Sequence, residues 1–553
     1  MSELTAGSDM FSAIPAGVQQ VIRNVVFWGA TDETAQKWRL RVLGVGAVAV
    51  AGAASWVYLI YPFLQHMKVR NLPQPGTSTW LNGDKKELEK HVKGGEKRRY
   101  FSRLRQTVGP NCFIRLPLQF SLASLTKNPF GLLFVTSDWN VIQELTTQSG
   151  SLVRNPEWVQ AFEVISDSVI ATDSEQTARF HRRILSTFTT HTAANGTMKP
   201  LMDLLDLLRR DLVALNDTRA VDALQLTRLA MFDLWLNLLT GRQGHHALTA
   251  SGHLALTPNR IETGALPYST VEAIMTMTRF HKENYELLFL PTDSSAVTST
   301  AAHKALVQQY KAVVNAAPVI LTQMLDEKNQ QALLPRILAA EDSVTRRGLA
   351  ADEIRDSAAL LFLASENTAL PIVWALYELA KDQALQQRIH TATRVEDLTV
   401  IDSTDQLISR LGEVLNLFLE ALRFYALPIL SRSASSPIQL KSADLTIPAG
   451  TVVLVDNYSL TRDETLWGQD ANVFNPDRFS GKIWQQAPWL PFGFGSRKCI
   501  GERVAVTHAV LFLAVVVRYF ALELDTNSMP PEPVERQFLT PDKPVMLRFR
   551  PRV

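Results

Sequence analysis

The chain has 553 residues, 46% of them hydrophobic, and 56 Lys and Arg against 54 Asp and Glu leave a formal charge of +2. That near balance lacks the polycationic footprint of proteins that hold a phosphate backbone, so no nucleic-acid partner is expected. Two cysteines, Cys112 and Cys499, are too few for a disulfide framework and suit a reducing compartment. Residues 1–41 form a leader in which Val18, Val21, Ile22, Val25 and Val26 have helical spacing, suiting either a membrane-surface helix or an unstructured segment. Residues 42–64 carry no charge and are flanked by Lys37, Arg39 and Arg41 on one side and Lys68 and Arg70 on the other. That length predicts a transmembrane anchor, with Trp56, Tyr58 and Tyr61 suited to the headgroup zone; a buried globular helix is the alternative. About 40 residues precede the apolar run, too many for a cleavable secretory signal, and Glu3 and Asp9 argue against a mitochondrial transit peptide. Residues 65–76, with Pro73 and Pro75, form a stiff linker.

Residues 77–553 read as one mainly helical domain without internal repeats. Apolar periodicity predicts helices over 202–215, 221–239, 270–290, 306–325, 352–381 and 502–520. A smaller β-rich part is predicted at 445–455, turning at Ile447-Pro448-Ala449-Gly450, and at 545–549. Cys112 is expected to be a small core residue. The stretch 241–267, rich in Gly, His, Thr and Asn, reads as a mobile loop.

Five segments carry candidate chemistry. Arg179, Arg182 and Arg183 cluster in the run 173–183, and the predicted helix 352–381 contains Ala364-Ser365-Glu366-Asn367-Thr368 with Pro371 close behind. Glu420 and Arg423 stand at i and i+3 on one helix face, and Phe474-Asn475-Pro476-Asp477-Arg478-Phe479 follows. Near the C-terminus, Phe492-Gly493-Phe494-Gly495-Ser496-Arg497-Lys498-Cys499-Ile500-Gly501 delivers a cysteine to the start of an apolar helix. Gly493, Gly495 and Gly501 are expected to let the backbone turn sharply and approach a flat ligand. Arg497 and the positive helix end are expected to favour the thiolate over the thiol. Arg497 also offers a donor fork for a carboxylate, and haem carries two as propionates. The loop therefore reads as a haem cradle with Cys499 as the iron ligand.

Phe492, Gly495, Arg497, Cys499 and Gly501 fill every fixed place of the signature of the cytochrome P-450 family, and the chain resembles the membrane-anchored microsomal members of that haem-thiolate group. The resemblance implies a mainly α fold with a smaller β-rich part, an N-terminal transmembrane helix before it, and haem b as cofactor. It implies a monooxygenase that inserts one atom of O2 into a lipophilic substrate, with electrons from NADPH through a separate diflavin reductase. It also implies a single-pass endoplasmic reticulum protein with its catalytic domain in the cytosol, and makes 241–267 a roof for the substrate channel.

By the same resemblance Glu420, Arg423 and Arg478 form a buried structural triad, Arg432 and Arg497 hold propionates, and Arg182 takes the place of a third such arginine. Ala178 stands where the family has tryptophan, so one customary donor is lost; Arg179, Arg182 and Arg183 equally suit a surface patch for an acidic redox partner. The helix segment fits in two registers. In one, Glu366 is the acid that serves proton delivery and Asn367 replaces the threonine; in the other, Ala364 and Ser365 are the small pair, Asn367 replaces the acid and Thr368 is kept. The second fits the small pair better and resembles the branch containing sterol hydroxylases and prostacyclin synthase. Two rival readings therefore stand beside monooxygenation: a non-oxygenating isomerase or dehydratase on the same fold, and a non-enzymatic membrane protein that binds haem or lipid.

Overall fold

The computed structural model describes residues 69–76, 97–115, 131–155, 162–172, 174–186, 195–214, 219–242, 301–329, 332–425, 429–535 and 538–552, with isolated positions between 46 and 91. The expected leader, most of the 42–64 anchor, the 270–290 helix and the 241–267 loop beyond Arg242 lie outside the described residues. The chain divides into two units, Met1–Asn71 and Leu72–Val553. All elements named below belong to the second.

Among the described residues, its helices of seven or more residues are α1 (Lys97–Thr107), α2 (Trp139–Thr147), α3 (Glu175–Ser186), α4 (Met198–Ala214), α5 (Ala223–Thr240), α6 (Ala301–Met324), α7 (Leu333–Ala339), α8 (Ala351–Lys381), α9 (Gln383–Arg394), α10 (Thr404–Arg410), α11 (Gly412–Phe424) and α12 (Glu502–Tyr519). Two kinds of pattern produce them. On α4 the apolar residues recur three or four apart, and Leu201, Leu204, Leu205, Leu208 and Leu212 are buried while the other face meets solvent. On α5 and α12 apolar residues occur on every side, and both helices are buried around most of their circumference. The Asp222 carboxylate caps the α5 N-terminus by accepting from Leu224 N at 3.0 Å, and left-handed Gly241 closes the other end. Among the described residues, α8 alone is long and apolar enough to cross a membrane. It is a core helix here, packed on α5, α6, α11 and α12.

Among the described residues, twelve short strands form the β-rich part. The largest sheet has the order β1 (Asn111–Arg115), β2 (Leu132–Thr136), β8 (Val452–Asp456), β5 (Ile429–Ala434) and β3 (Leu152–Val153). β2 runs parallel to β8 and the other neighbours are antiparallel. Its three central strands are buried along their whole length, and β2 and β8 accordingly read as apolar runs, not alternating ones. The register sets Arg432 of β5 opposite Val453 of β8. A second sheet joins β4 (Val221–Asp222), β12 (Met546–Pro551) and β9 (Phe520–Leu524), and two hairpins pair β6 (Ile438–Leu440) with β7 (Leu445–Ile447) and β10 (Pro533–Glu535) with β11 (Leu539–Pro541). Cys112 is a core residue of β1, where burial pushes its thiol up to about 12.

His508 sits inside this core on α12, hydrogen bonded through Nε2 to Thr197 Oγ1 at 3.0 Å, and burial pushes its pKa down to about 3 from the ordinary 6.5. The unfolded chain therefore takes up a proton on this residue that the folded chain refuses. His508 contributes no pH dependence above 6.5, and between 6.5 and about 3 it makes stability fall as pH falls. Its share of the slope approaches ~1.4 kcal/mol per pH unit. His508→Gln should flatten the acid side of a stability profile from urea denaturation by that single-proton share; an unaltered slope would place the acid sensitivity elsewhere.

Candidate functional site

The cysteine loop is closed by its own backbone. Cys499 N donates to Phe492 O at 2.8 Å and Lys498 N to Gly495 O at 3.1 Å, around a single 3-10 turn over Gly495–Arg497. Gly493 and Gly495 have left-handed φ of 73° and 65°, and a Cβ on Gly495 would lie 2.6 Å from Ser149 Cβ. Those two glycines are required on conformational grounds. Gly501 is not: its φ of −88° is ordinary, and a Cβ there would lie 3.9 Å from Cys499 Sγ. Phe492 meets Trp484 edge to face at 6.0 Å, which anchors the start of the loop.

Four guanidinium groups lie within electrostatic reach of one another beside this loop. They belong to Arg154 after β3, Arg182 of α3, Arg432 of β5 and Arg497 of the loop. Arg432 lies over the Phe494 ring at 5.2 Å, and burial followed by the Arg497 charge pushes its pKa down to about 10. Arg154 is likewise pushed well below its ordinary value, by burial and by its three cationic neighbours. Glu175 offsets part of this charge, accepting from Arg497 Nε at 2.8 Å and from Ser496 Oγ at 3.1 Å. Arg497 Nη1 also donates to Val169 O at 3.2 Å. Like charges buried together stay costly until further anions join them.

Cys499 is exposed in terms of surface, yet protein atoms surround it densely enough that burial is the largest influence on its thiol and raises the pKa. That combination of accessible surface and dense surroundings fits a side chain on the wall of a recess. The Arg497 guanidinium, expected to serve the sulfur, is engaged by Glu175. The groups that favour the anion are the Gly501 backbone N–H, Arg182 and Lys498, while Glu502 at the start of α12 opposes it. Arg182 reaches this position by donating from Nη1 to the carbonyl of Lys498. Ala178, in the tryptophan's place, is buried on α3, and of the suggested basic patch Arg179 is exposed whereas Arg183 is held by Asp342.

Behind the loop, α11 ties down the segment that precedes it. Glu420 and Arg423 are wholly buried and joined by two bonds of 2.7 Å. Arg423 also donates to Thr461 O, Ala471 O and Val473 O at 2.6, 2.8 and 3.2 Å, and Glu420 accepts from Asn475 N at 2.8 Å. Arg478 approaches Glu420 at 3.5 Å, but its fork grips Asp470, with Nη1 and Nη2 each 2.9 Å from a carboxylate oxygen. The expected triad is thus a cluster of four, with Asp470 added.

On α8, Ser365 and Thr368 are buried and Glu366 and Asn367 half-buried. Thr368 Oγ1 donates to Ala364 O at 3.3 Å. Glu366 is held by Arg228 of α5, whose Nε donates to Oε2 at 2.6 Å and whose Nη2 donates to Oε1. Arg154, Arg228 and Asp470 were not legible as site residues, since none stands in a recognisable spacing with the loop. Glu175 lay within the quoted run 173–183, where the need for a counter-charge among so many cations was the available signal.

A family model described as cytochrome P450 matches residues 73–549, and the chain belongs to that family. Relatives include cytokinin hydroxylase of Arabidopsis thaliana, 34% identical over 171 residues, which is 30% of this chain and 32% of that protein. The mitochondrial cytochrome P450 11B of Aquarana catesbeiana is 34% identical over 190 residues, 34% of this chain and 35% of the relative. Cytochrome P450 3A12 of Canis lupus familiaris is 32% identical over 210 residues, 36% of this chain and 40% of the relative. The matched stretches thus span about a third to two fifths of these relatives. The family implies haem with a cysteine thiolate, and the residues fit such a group: a thiol lines an internal recess beside buried arginines that carry more positive charge than Glu175 offsets.

Replacing Glu420 by alanine strands the Arg423 charge in the core and should cost about 3–5 kcal/mol. Arg423→Lys should cost nearly as much, because an ammonium cannot serve the carboxylate and three carbonyls at once. Denaturant unfolding measures both; a loss below ~1 kcal/mol would assign the cluster only the weight of a surface pair.

Proposed function

We propose that this chain is a haem-thiolate monooxygenase that inserts one oxygen atom of O2 into a lipophilic substrate, such as a sterol, fatty acid or terpenoid. The carrying observation is the thiol of Cys499 on an internal recess beside the cluster of Arg154, Arg432 and Arg497. In this reading Cys499 would ligate the iron, and Arg432, Arg497 and Arg154 would hold the two propionates. Haem so bound would supply the redox chemistry, with the thiolate donating electron density that favours O–O cleavage.

The protein's own part is to orient and to supply protons. In this reading the α8 turn over the haem would offer the Asn367 amide and the Thr368 hydroxyl, which can hydrogen-bond oxygen or water. Pro371 lacks an N–H, so the Asn367 carbonyl has no intrahelical partner four residues on and is left for water. Apolar neighbours on α8 and α5 keep bulk water out. We further propose that NADPH supplies electrons through a diflavin reductase, and that residues 42–64 anchor the protein in the endoplasmic reticulum membrane with the catalytic unit in the cytosol. Asn367 supports a second reading on the same fold, the isomerisation or dehydration of a peroxide. Turnover of a hydroperoxide without NADPH or O2 would select it.

Cys499→Ala should abolish the thiolate-type Soret band of the reduced carbon monoxide complex together with NADPH- and O2-dependent turnover. Persistence of that band in the variant would remove the basis of the proposal. A titration of lipophilic candidates against the ferric protein, reading the spectral change as water leaves the iron, would identify the substrate class.

A further inference from the structure

Glu366 is the acid of the segment 361–371, yet its carboxylate is committed elsewhere. Both its oxygens are taken by the Arg228 fork, an arrangement stronger and more directional than a single contact between a lysine and a carboxylate. The side chains are 12% and 21% exposed, so solvent screens the pair less than a surface bridge. Arg228 projects from α5, a rod buried on most sides and capped at both ends. The turn it holds is weakened at two points. Pro371 deprives the Asn367 carbonyl of a donor, and the Thr368 hydroxyl shares the Ala364 carbonyl at 3.3 Å.

We propose that Arg228 is a positioning residue: through Glu366 it fixes the turn that carries Asn367 and Thr368, the groups that the haem-protein reading sets over the haem, and by occupying both carboxylate oxygens it withholds Glu366 from proton delivery. This rests on the haem-protein reading above. Protons for the reaction then come through water held by Asn367 and Thr368, and the acid beside them is a strut.

Imidazole, a small iron ligand that must enter beside this turn, is the probe. Full-length haem-loaded protein and the variants Arg228→Met, Glu366→Gln, Arg228→Lys and the swap Arg228→Glu with Glu366→Arg are titrated spectrally. Arg228→Met and Glu366→Gln should change the imidazole Kd in the same direction, each roughly five- to tenfold, and their combination should do no more than either. Arg228→Lys should recover part of the change and the swap most of it. Additive effects of the two single variants, or no change in either at unaltered Tm, would overturn the positioning role. If Glu366→Gln alone raises peroxide release and the solvent isotope effect on turnover while Arg228→Met does not, Glu366 delivers protons and the inference fails. A parent protein without the thiolate-type band would instead overturn the haem reading itself, whatever the variants do. Arg228→Lys and the swap keep the test open should the methionine variant not fold.

Discussion

The site depends on an ion pair that does no chemistry. Glu420 and Arg423 are removed from water altogether, and the cost of that transfer is recovered only because every strong donor and acceptor is used. Arg423 collects carbonyls from residues 461, 471 and 473, and Glu420 collects the amide of Asn475. Three backbone stretches of irregular shape are thereby pinned to one face of α11. The segment they belong to leads through Arg478, Trp484 and Trp489 into the cysteine loop, so loop position is inherited from this pair. A hydrophobic substitute could match the stability, but it could not specify where four separate peptide groups lie.

The opposite logic holds at the recess. Arg154, Arg432 and Arg497 are buried near one another, and burial combined with mutual repulsion lowers the pKa of Arg154 and Arg432. Glu175 compensates in part. The thiol of Cys499 is likewise pushed toward its neutral form by its surroundings. Both imbalances have the sign that a ligand with a metal cation at its centre and carboxylates at its rim would correct. Binding such a ligand to the folded state alone stabilises that state by mass action, so the loop and the arginines are coupled to ligand occupancy even where they do not touch each other.

Long-period patterns made the helices legible. The runs 202–215, 221–239, 306–325 and 352–381 correspond to α4, α5, α6 and α8 within a few residues, because burial of a stripe or of a whole circumference leaves a repeat that local sequence carries. Strands β5 and β9 were not predicted: Ile429–Ala434 mixes serine and arginine with apolar residues, and Phe520–Leu524 follows α12 without a break. Their strand state comes from partners distant in sequence. In the site, residues bound by fixed spacing were legible, Glu420 with Arg423 and the loop with Cys499. Asp470 and Arg154 were not, since what defines them is a charge brought close by the fold. Arg497 shows the same limit from the other side: its proximity to Cys499 in sequence suggested a partner for the sulfur, whereas the 3-10 turn swings it to Glu175.

The segment 364–368 illustrates why residue type alone could not assign a role on α8. A helix places successive residues about 100° apart, so Glu366 and Asn367 cannot serve the same neighbour. Choosing between the two registers amounted to asking which of these groups points away from the neighbouring helix, and that depends on what stands behind α8. α5 stands there, with Arg228 at the height of Glu366. Once the acid is engaged on that side, the amide and the hydroxyl next to it are the polar groups left for the other. A helix interrupted by Pro371 has given up part of its internal stiffness at this turn, and stiffness lost to the backbone has to be supplied from a neighbouring element if the groups it carries are to keep one orientation.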